Sequence, residues 1–427
     1  MILRRSQTTL RGYLDTALAW LDNTTLLGRS LRWYLTSWPL GLVFLLLALL
    51  LPVLVDLPTL TAAVSICIYA MLALGLNIVV GYAGLLDLGY VAFFVIGSYT
   101  VAVGTGGILQ NAQDHAFNIP TYPFWLLLPL AALLAGIFGV LLGAPTLRLR
   151  GDYLAIVTLG FGEIVPIIFQ NLPFFFGQFG MSALPPADIN NIPLLGSITF
   201  SDPLNVTPFY YLALAALVIV VLAVYALRDS SLGRAWIAIR EDETAAAASG
   251  VNLVRTKLLA FGLGATVGGI GGALNAAFVT TIAPSDFNFG ISITILIMIV
   301  LGGIGSIPGV ILGAAILRFF DVYLVSTVSA ALQSNSTTSN LLAGHDINQA
   351  KLLIYGIVLL VMILLRPQGL IPNRRRSREL KGIGASVEGA SAVGLLEREE
   401  AGLDVPVEDT LDETAYAGSG SDAQGGE

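Results

Sequence analysis

The chain has a single cysteine, Cys67, and two histidines, His115 and His345. A lone thiol inside an apolar run closes no disulfide within the chain, and a Cys-ligated zinc or iron–sulfur site needs more thiolates. The histidines fall in polar connections and do not face each other within apolar stretches, which argues against haem or a histidine proton relay. No GxxxxGK(S/T) loop occurs, and no strand, glycine loop and helix unit is visible that would cradle a nucleotide. There is no serine elbow and no carboxylate pair on a soluble domain. The expectation is therefore a protein that is not an enzyme, with no metal, no cofactor and no nucleic-acid partner.

Charge is scarce as well. Charged residues make up 11% of the 427 and hydrophobic ones 56%, against about 25% charged in an ordinary soluble domain. The net charge of -7 is concentrated at one end: residues 377–427 hold twelve acids and three bases, which leaves the rest slightly basic. A segment so rich in small and acidic residues cannot bury enough apolar surface to fold alone, so 372–427 is expected to be a disordered, acidic cytoplasmic tail, dispensable for activity. At the other end, residues 1–38 carry Arg4, Arg5, Arg11, Arg29 and Arg32 without the continuous apolar core of a signal peptide. They are expected to stay inside, lying on the membrane surface through Trp20, Trp33 and Trp38.

What the chain has in abundance is apolar length. Crossing about 30 Å of hydrocarbon takes about 20 residues, fewer where helices are broken or buried in a bundle. Stretches at 39–55, 60–80, 85–103, 124–144, 153–171, 208–227 and 258–279 qualify. The second and third are separated by GYAG, read as a tight glycine turn, and the seventh is dense in glycine, FGLGATVGGIGGAL, where missing side chains let helix backbones touch. Residues 291–301 then meet GGIGSIPG and a further run to about 325. Taken as one helix this would exceed 30 residues with glycines and a proline at its centre, so two shorter helices joined by a turn are expected, with Gly302, Gly303, Gly305, Pro308 and Gly309 as the pliable part. A tenth run covers 352–365.

Basic residues orient this count, because cytoplasmic connections collect Lys and Arg. With ten spans and both ends inside, 19 of the 21 Lys and Arg residues lie on one side; the exceptions are Arg318, within the ninth span, and Lys351. The expected architecture is all-α and polytopic, with a transmembrane domain over 39–371.

One long charged interlude breaks this body, the cytoplasmic loop 228–257. Within it Glu241, Asp242 and Glu243 head an alanine-rich run that Ser249 and Gly250 close, placing acids at the positive end of a helix dipole and glycine at the C-cap. The side chains of 245–248 are methyl groups, so a partner surface can approach closely. A short helix of this kind suits docking.

Three ionisable residues lie at membrane depth, where desolvation is costly and a functional role is the first reading. Asp87 in GYAGLLDLGY, if helical, sits about 5 Å in from the cytoplasmic turn, Glu163 about 15 Å along the fifth span and Arg318 about 16 Å along the ninth. Glu163 and Arg318 are expected to face the bundle interior at one level, as an ion pair or as counter-charges near a solute path. Asp321, one turn after Arg318, is the alternative partner.

Ala245, Ala246 and Gly250 fit the EAA-xxx-G pattern of the coupling loop in bacterial ABC-importer permeases, with Thr244 standing where that pattern has glutamate. Further blocks resemble the LIV-type permeases of branched-chain amino acid ABC importers, the M-subunit branch: NIVVGYAGLLDLGYVAFFVIGSYT at 77–100, LRLRGDYLAIVTLGFGEI at 147–164, IMIVLGGIGSIPGVILGA at 297–314 and LRPQGL at 365–370. Asp87 and Tyr90 stand where that family more often has a small residue and a histidine.

The resemblance implies a bacterial inner-membrane permease that pairs with a homologous H-type permease, two cytoplasmic ATP-binding subunits and an extracytoplasmic solute-binding protein. Coupling to the ATPase would fall to Arg240, Glu241, Asp242, Glu243, Ala245, Ala246 and Gly250, and the solute path to the neighbourhood of Asp87, Tyr90, Glu163 and Arg318. Alternating access would carry neutral, aliphatic amino acids, with urea or short amides as related substrates. The rival from another class is an ion-coupled secondary transporter using Asp87, Glu163 and Arg318 as coupling charges.

Overall fold

The structure, a computed structural model, describes residues 25–26, 29–30, 39–105, 122–146, 152–172, 181–182, 189–192, 196–198, 206–324, 355–357, 360 and 369–371. Contacts divide the chain into residues 1–373 and 374–427, and the second unit lies wholly outside the described residues. So do the bases at 148 and 150, both histidines, Lys351 and most of the tenth expected span.

The described residues form helices α1 (Pro39–Leu54), α2 (Leu57–Leu76), α3 (Val91–Gly104), α4 (Phe124–Thr146), α5 (Asp152–Asn171), α6 (Thr207–Asp229), α7 (Ser231–Glu241), α8 (Glu243–Ala248), α9 (Leu253–Val279), α10 (Phe289–Gly302) and α11 (Ile307–Phe319). Among the described residues six helical stretches are long and apolar enough to cross a membrane, those at 57–82, 124–145, 153–171, 207–229, 253–279 and 284–302.

The glycine-rich α9 is the centre of the bundle, packed on α2, α3 and α4. Its small residues decide this. A Cβ built on Gly97 of α3 would lie 2.2 Å from the carbonyl oxygen of Gly269, so the two backbones touch where neither has a side chain. Hydrogen bonds from outside then seal α9: the Tyr90 hydroxyl donates to the Gly264 carbonyl at 2.9 Å and Ser98 Oγ to that of Gly272 at 3.0 Å. Beyond α9, the strand Thr281–Ile282 pairs antiparallel with Met181–Ser182, tying two distant connections together.

The expected pair of helices around GGIGSIPG is present. α10 ends at Gly302, Gly303 and Gly305 take φ of 119° and 82°, and Ser306 caps α11 by accepting from Gly309 N–H, with Pro308 in its first turn. Leu370 and Ile371 N–H donate to the Leu301 and Gly302 carbonyls, so residues 370–371 close the end of α10.

One expected span is shorter than its apolar run. The helix anticipated at 85–103 begins at Val91, and GYAG opens an irregular stretch of eight residues instead of a tight turn. Gly84 is left-handed (φ 70°), the Asp87 carboxylate accepts from Gly89 N–H, and Gly89 lies so close to α5 that a Cβ would fall 1.9 Å from the Thr158 carbonyl oxygen. Local side-chain capping and close backbone contact outweigh apolar periodicity here.

Candidate functional site

The loop 228–257 forms two helices set at an angle. Ser230 caps α7, and Asp242, with extended backbone (φ -156°, ψ 112°), ends α7 and caps α8 by accepting from the N–H groups of Thr244 (2.7 Å) and Ala245 (3.0 Å). Those donors, Ala245 first, hold the Asp242 carboxyl below its ordinary range. Glu241 therefore closes α7 and does not head the docking helix. At the other end Gly250 is left-handed (φ 85°), with Gly250 and Val251 N–H bonded back to Ala247 and Ala246.

Of the alanines, Ala246 is buried, while Ala245, Ala247 and Ala248 are exposed. The Lys257 ammonium reaches Glu243 at 2.5 Å, and the buried Trp236 indole donates to the Thr256 carbonyl at 2.8 Å. Both contacts tie α7 and α8 to the base of α9.

Arg240 points inward. Its guanidinium donates to the Gly81 carbonyl, and its aliphatic stem lies over Gly84, where a Cβ would sit 2.8 Å from Arg240 Cγ. Gly81 belongs to a π-helical continuation of α2, Asn77–Tyr82. From this segment Asn77 Oδ1 accepts from Gly305 N–H at 2.9 Å, in the turn between α10 and α11. A continuous contact thus runs from α7 through the broken end of α2 to the glycine turn.

Residues 83–90 then pass into the bundle. Leu88 N–H donates to Thr158 Oγ1 of α5 and Val91 N–H to Ser292 Oγ of α10, so the irregular backbone finds partners in neighbouring helices. Asp87 is buried; one carboxylate oxygen accepts from Gly89 and the other has no partner among the described residues. It lines a cavity of about 10 Å³ with Gly89, Phe93, Leu142, Thr158, Phe161 and Phe261. That holds one water at most, so this conformation presents no amino-acid-sized chamber beside Asp87.

The expected pairing of Glu163 with Arg318 does not form. Arg318 meets Asp321 at 2.5 Å and stacks over the Tyr69 ring, 4.1 Å from its centroid. Glu163 is exposed on α5, turned away from the buried Thr158 and Gly162. Tyr90 is buried against α9. Among the described residues no group of three His, Cys, Asp or Glu side chains is placed to hold a metal.

The family model described as the branched-chain amino acid transport system permease component matches residues 59–363, which takes in the broken helix, the loop and the glycine turn. The chain belongs to this family. It is 39% identical over 363 residues to the high-affinity branched-chain amino acid transport permease LivM of Escherichia coli (strain K12), covering 81% of this chain and 77% of that one. The LivM of Salmonella typhimurium (strain LT2) is 38% identical over 366 residues, 82% and 78% of the two chains. The LivH permease of E. coli (strain K12) is more distant, 27% identical over 253 residues, 58% of this chain and 79% of its own. No solved structure matches the chain.

The permease is thus a polytopic membrane protein, in keeping with its apolar helices. The candidate site includes residues that the sequence did not single out: Asn77, Gly81, Thr158, Lys257 and Ser292. A polar Asn followed four residues later by Gly inside an apolar run was the available signal for the first two.

Proposed function

We propose that this permease is one membrane subunit of an ATP-driven ABC importer for neutral, branched-chain amino acids, multi-pass in a bacterial inner membrane with both ends cytoplasmic. Its partners are a homologous H-type permease, two cytoplasmic ATPases and an extracytoplasmic binding protein. The observation that carries the reading is α8: a short helix capped at both ends, braced on α9, with Ala245, Ala247 and Ala248 open to a docking partner. A self-sufficient carrier has no use for such an element.

In this reading ATPase closure pushes α8. The load passes along α7 to Arg240, on to Gly81 and Asn77, and into the turn at Gly303 and Gly305, whose left-handed glycines allow α10 and α11 to change angle. Alternating access follows from that reorientation. The similarity to branched-chain amino acid permeases supports the substrate class, and the binding protein sets much of the specificity.

The test is ATP-dependent uptake of labelled leucine, isoleucine and valine in vesicles, with urea and short amides as competitors, for wild type and Ala245→Trp. Loss of uptake together with ATPase co-purification, at unchanged membrane level, is expected. Uptake that persists without ATP and collapses with a protonophore would make the protein a secondary carrier.

A further inference from the structure

The face of α5 that turns away from the bundle is apolar except for one acid, Glu163. Leu154, Ala155, Thr158, Gly162 and Pro166 are buried, while Ile156, Gly160, Glu163 and Ile167 follow one another at four-, three- and four-residue steps along the open side. Ile156 is 65% and Ile167 49% exposed. Between them Glu163 lies about 15 Å from the start of the span, near the middle of the membrane. The ion pairs among the described residues are Arg228–Asp229, Lys257–Glu243 and Arg318–Asp321, and Glu163 enters none of them.

A carboxylate at that depth cannot rest against hydrocarbon without a large desolvation cost. Gly160, one turn away, has no atom within 4 Å of the position its Cβ would take, so a second backbone can come close beside the acid. Two chains of the same kind meeting here about a two-fold axis would bring like residues of the stripe together and set two Glu163 carboxylates across one dry seam, which like-charge repulsion opposes.

We infer that the Ile156–Gly160–Glu163–Ile167 face of α5 is the seam with the second, non-identical permease subunit, which presents Arg, Lys or neutral hydrogen-bond donors to Glu163 at mid-membrane. The inference rests on the reading of the chain as one of two unlike permeases. The observation behind it, a solitary acid on an open apolar helix face, is independent of α8 and its coupling role.

The experiment uses the whole transporter in native membranes. A photo-reactive benzoylphenylalanine is placed in turn at Ile156, at Ile167 and, as a control, at Ile219 on the exposed side of α6, which is 66% exposed. Irradiation is expected to join the chain to the second permease from 156 and 167 and not from 219. In parallel, Glu163→Gln should keep the second permease in the purified complex, and Glu163→Arg should reduce its recovery at least about tenfold, since a new cation faces the partner's donors.

Adducts from 156 and 167 with lipid alone, or with a second copy of this chain, overturn the assignment of the face. Equal recovery of the partner with Glu163→Arg overturns the role of the acid. Co-purification of the second permease and the ATPases with unirradiated wild type separates the two claims: with it intact, failed cross-links refute the seam and leave the importer reading standing, and without it both fall.

Discussion

Arg240 shows how one side chain links two levels of the permease. Its stem fits over Gly84 because that residue has no Cβ, and its head reaches a carbonyl of the π-helical segment, where i to i-4 bonding is interrupted. Arg240→Ala is therefore expected to lower ATP-dependent uptake at least about tenfold while the ATPases still co-purify, because the guanidinium faces the bundle and α8 keeps its surface. Ala245→Trp should lose both. Uptake and co-purification measured on the two variants check the distinction, and equal loss of ATPase from both would show that Arg240 contacts the ATPase instead. Asp87 allows a second test at this scale. Asp87→Asn keeps an acceptor for the buried Gly89 N–H and should preserve thermal stability in detergent, whereas Asp87→Leu strands that donor and should cost about 1–3 kcal/mol. Unfolding curves of the two variants read this directly.

At the scale of elements, the turn between α10 and α11 depends on backbone contact. A Cβ on Gly302 would fall 2.1 Å from the Gly309 carbonyl oxygen, with backbone on both sides and nothing flexible to yield. Gly302→Ala should destabilise the protein by about 1–3 kcal/mol through overpacking, while Gly160→Ala, where the added methyl meets nothing in this chain, should leave the stability of the isolated subunit unchanged. Thermal unfolding of the two variants in detergent decides the matter. The α8 element is held differently, by the Lys257–Glu243 pair, with Lys257 buried and Glu243 partly open. Glu243→Lys is expected to abolish coupled uptake by placing two cations together, and the swap of Glu243→Lys with Lys257→Glu should restore part of it.

For the whole molecule, the distribution of charge makes a prediction about a part outside the described residues. Truncation after residue 376 removes twelve acids and little apolar surface, and is expected to leave membrane level and uptake unchanged in the same vesicle assay. The positions of the described apolar helices were legible because each depends on local composition: nine of them fall on nine of the ten expected spans, with α3 starting six residues late, and most of the tenth span lies outside the described residues. The delay arose because residues 85–90 read as helical by hydropathy, yet Gly84, Asp87 and Gly89 hold them irregular against α5.

The sequence alone pointed to the nine described spans, the break at GGIGSIPG and a short helix within 241–250 closed by Gly250, since hydrophobic length, acids at a helix N-terminus and left-handed glycines are short-range effects. Only the tertiary structure decided that Arg240 turns inward, that Asn77 meets Gly305 across the bundle, and that Arg318 takes Asp321 and leaves Glu163 on an open face. The first two contacts join residues far apart in sequence. In the third case two carboxylates were equally compatible with the pattern, and the packing of α5 and α11 chose between them.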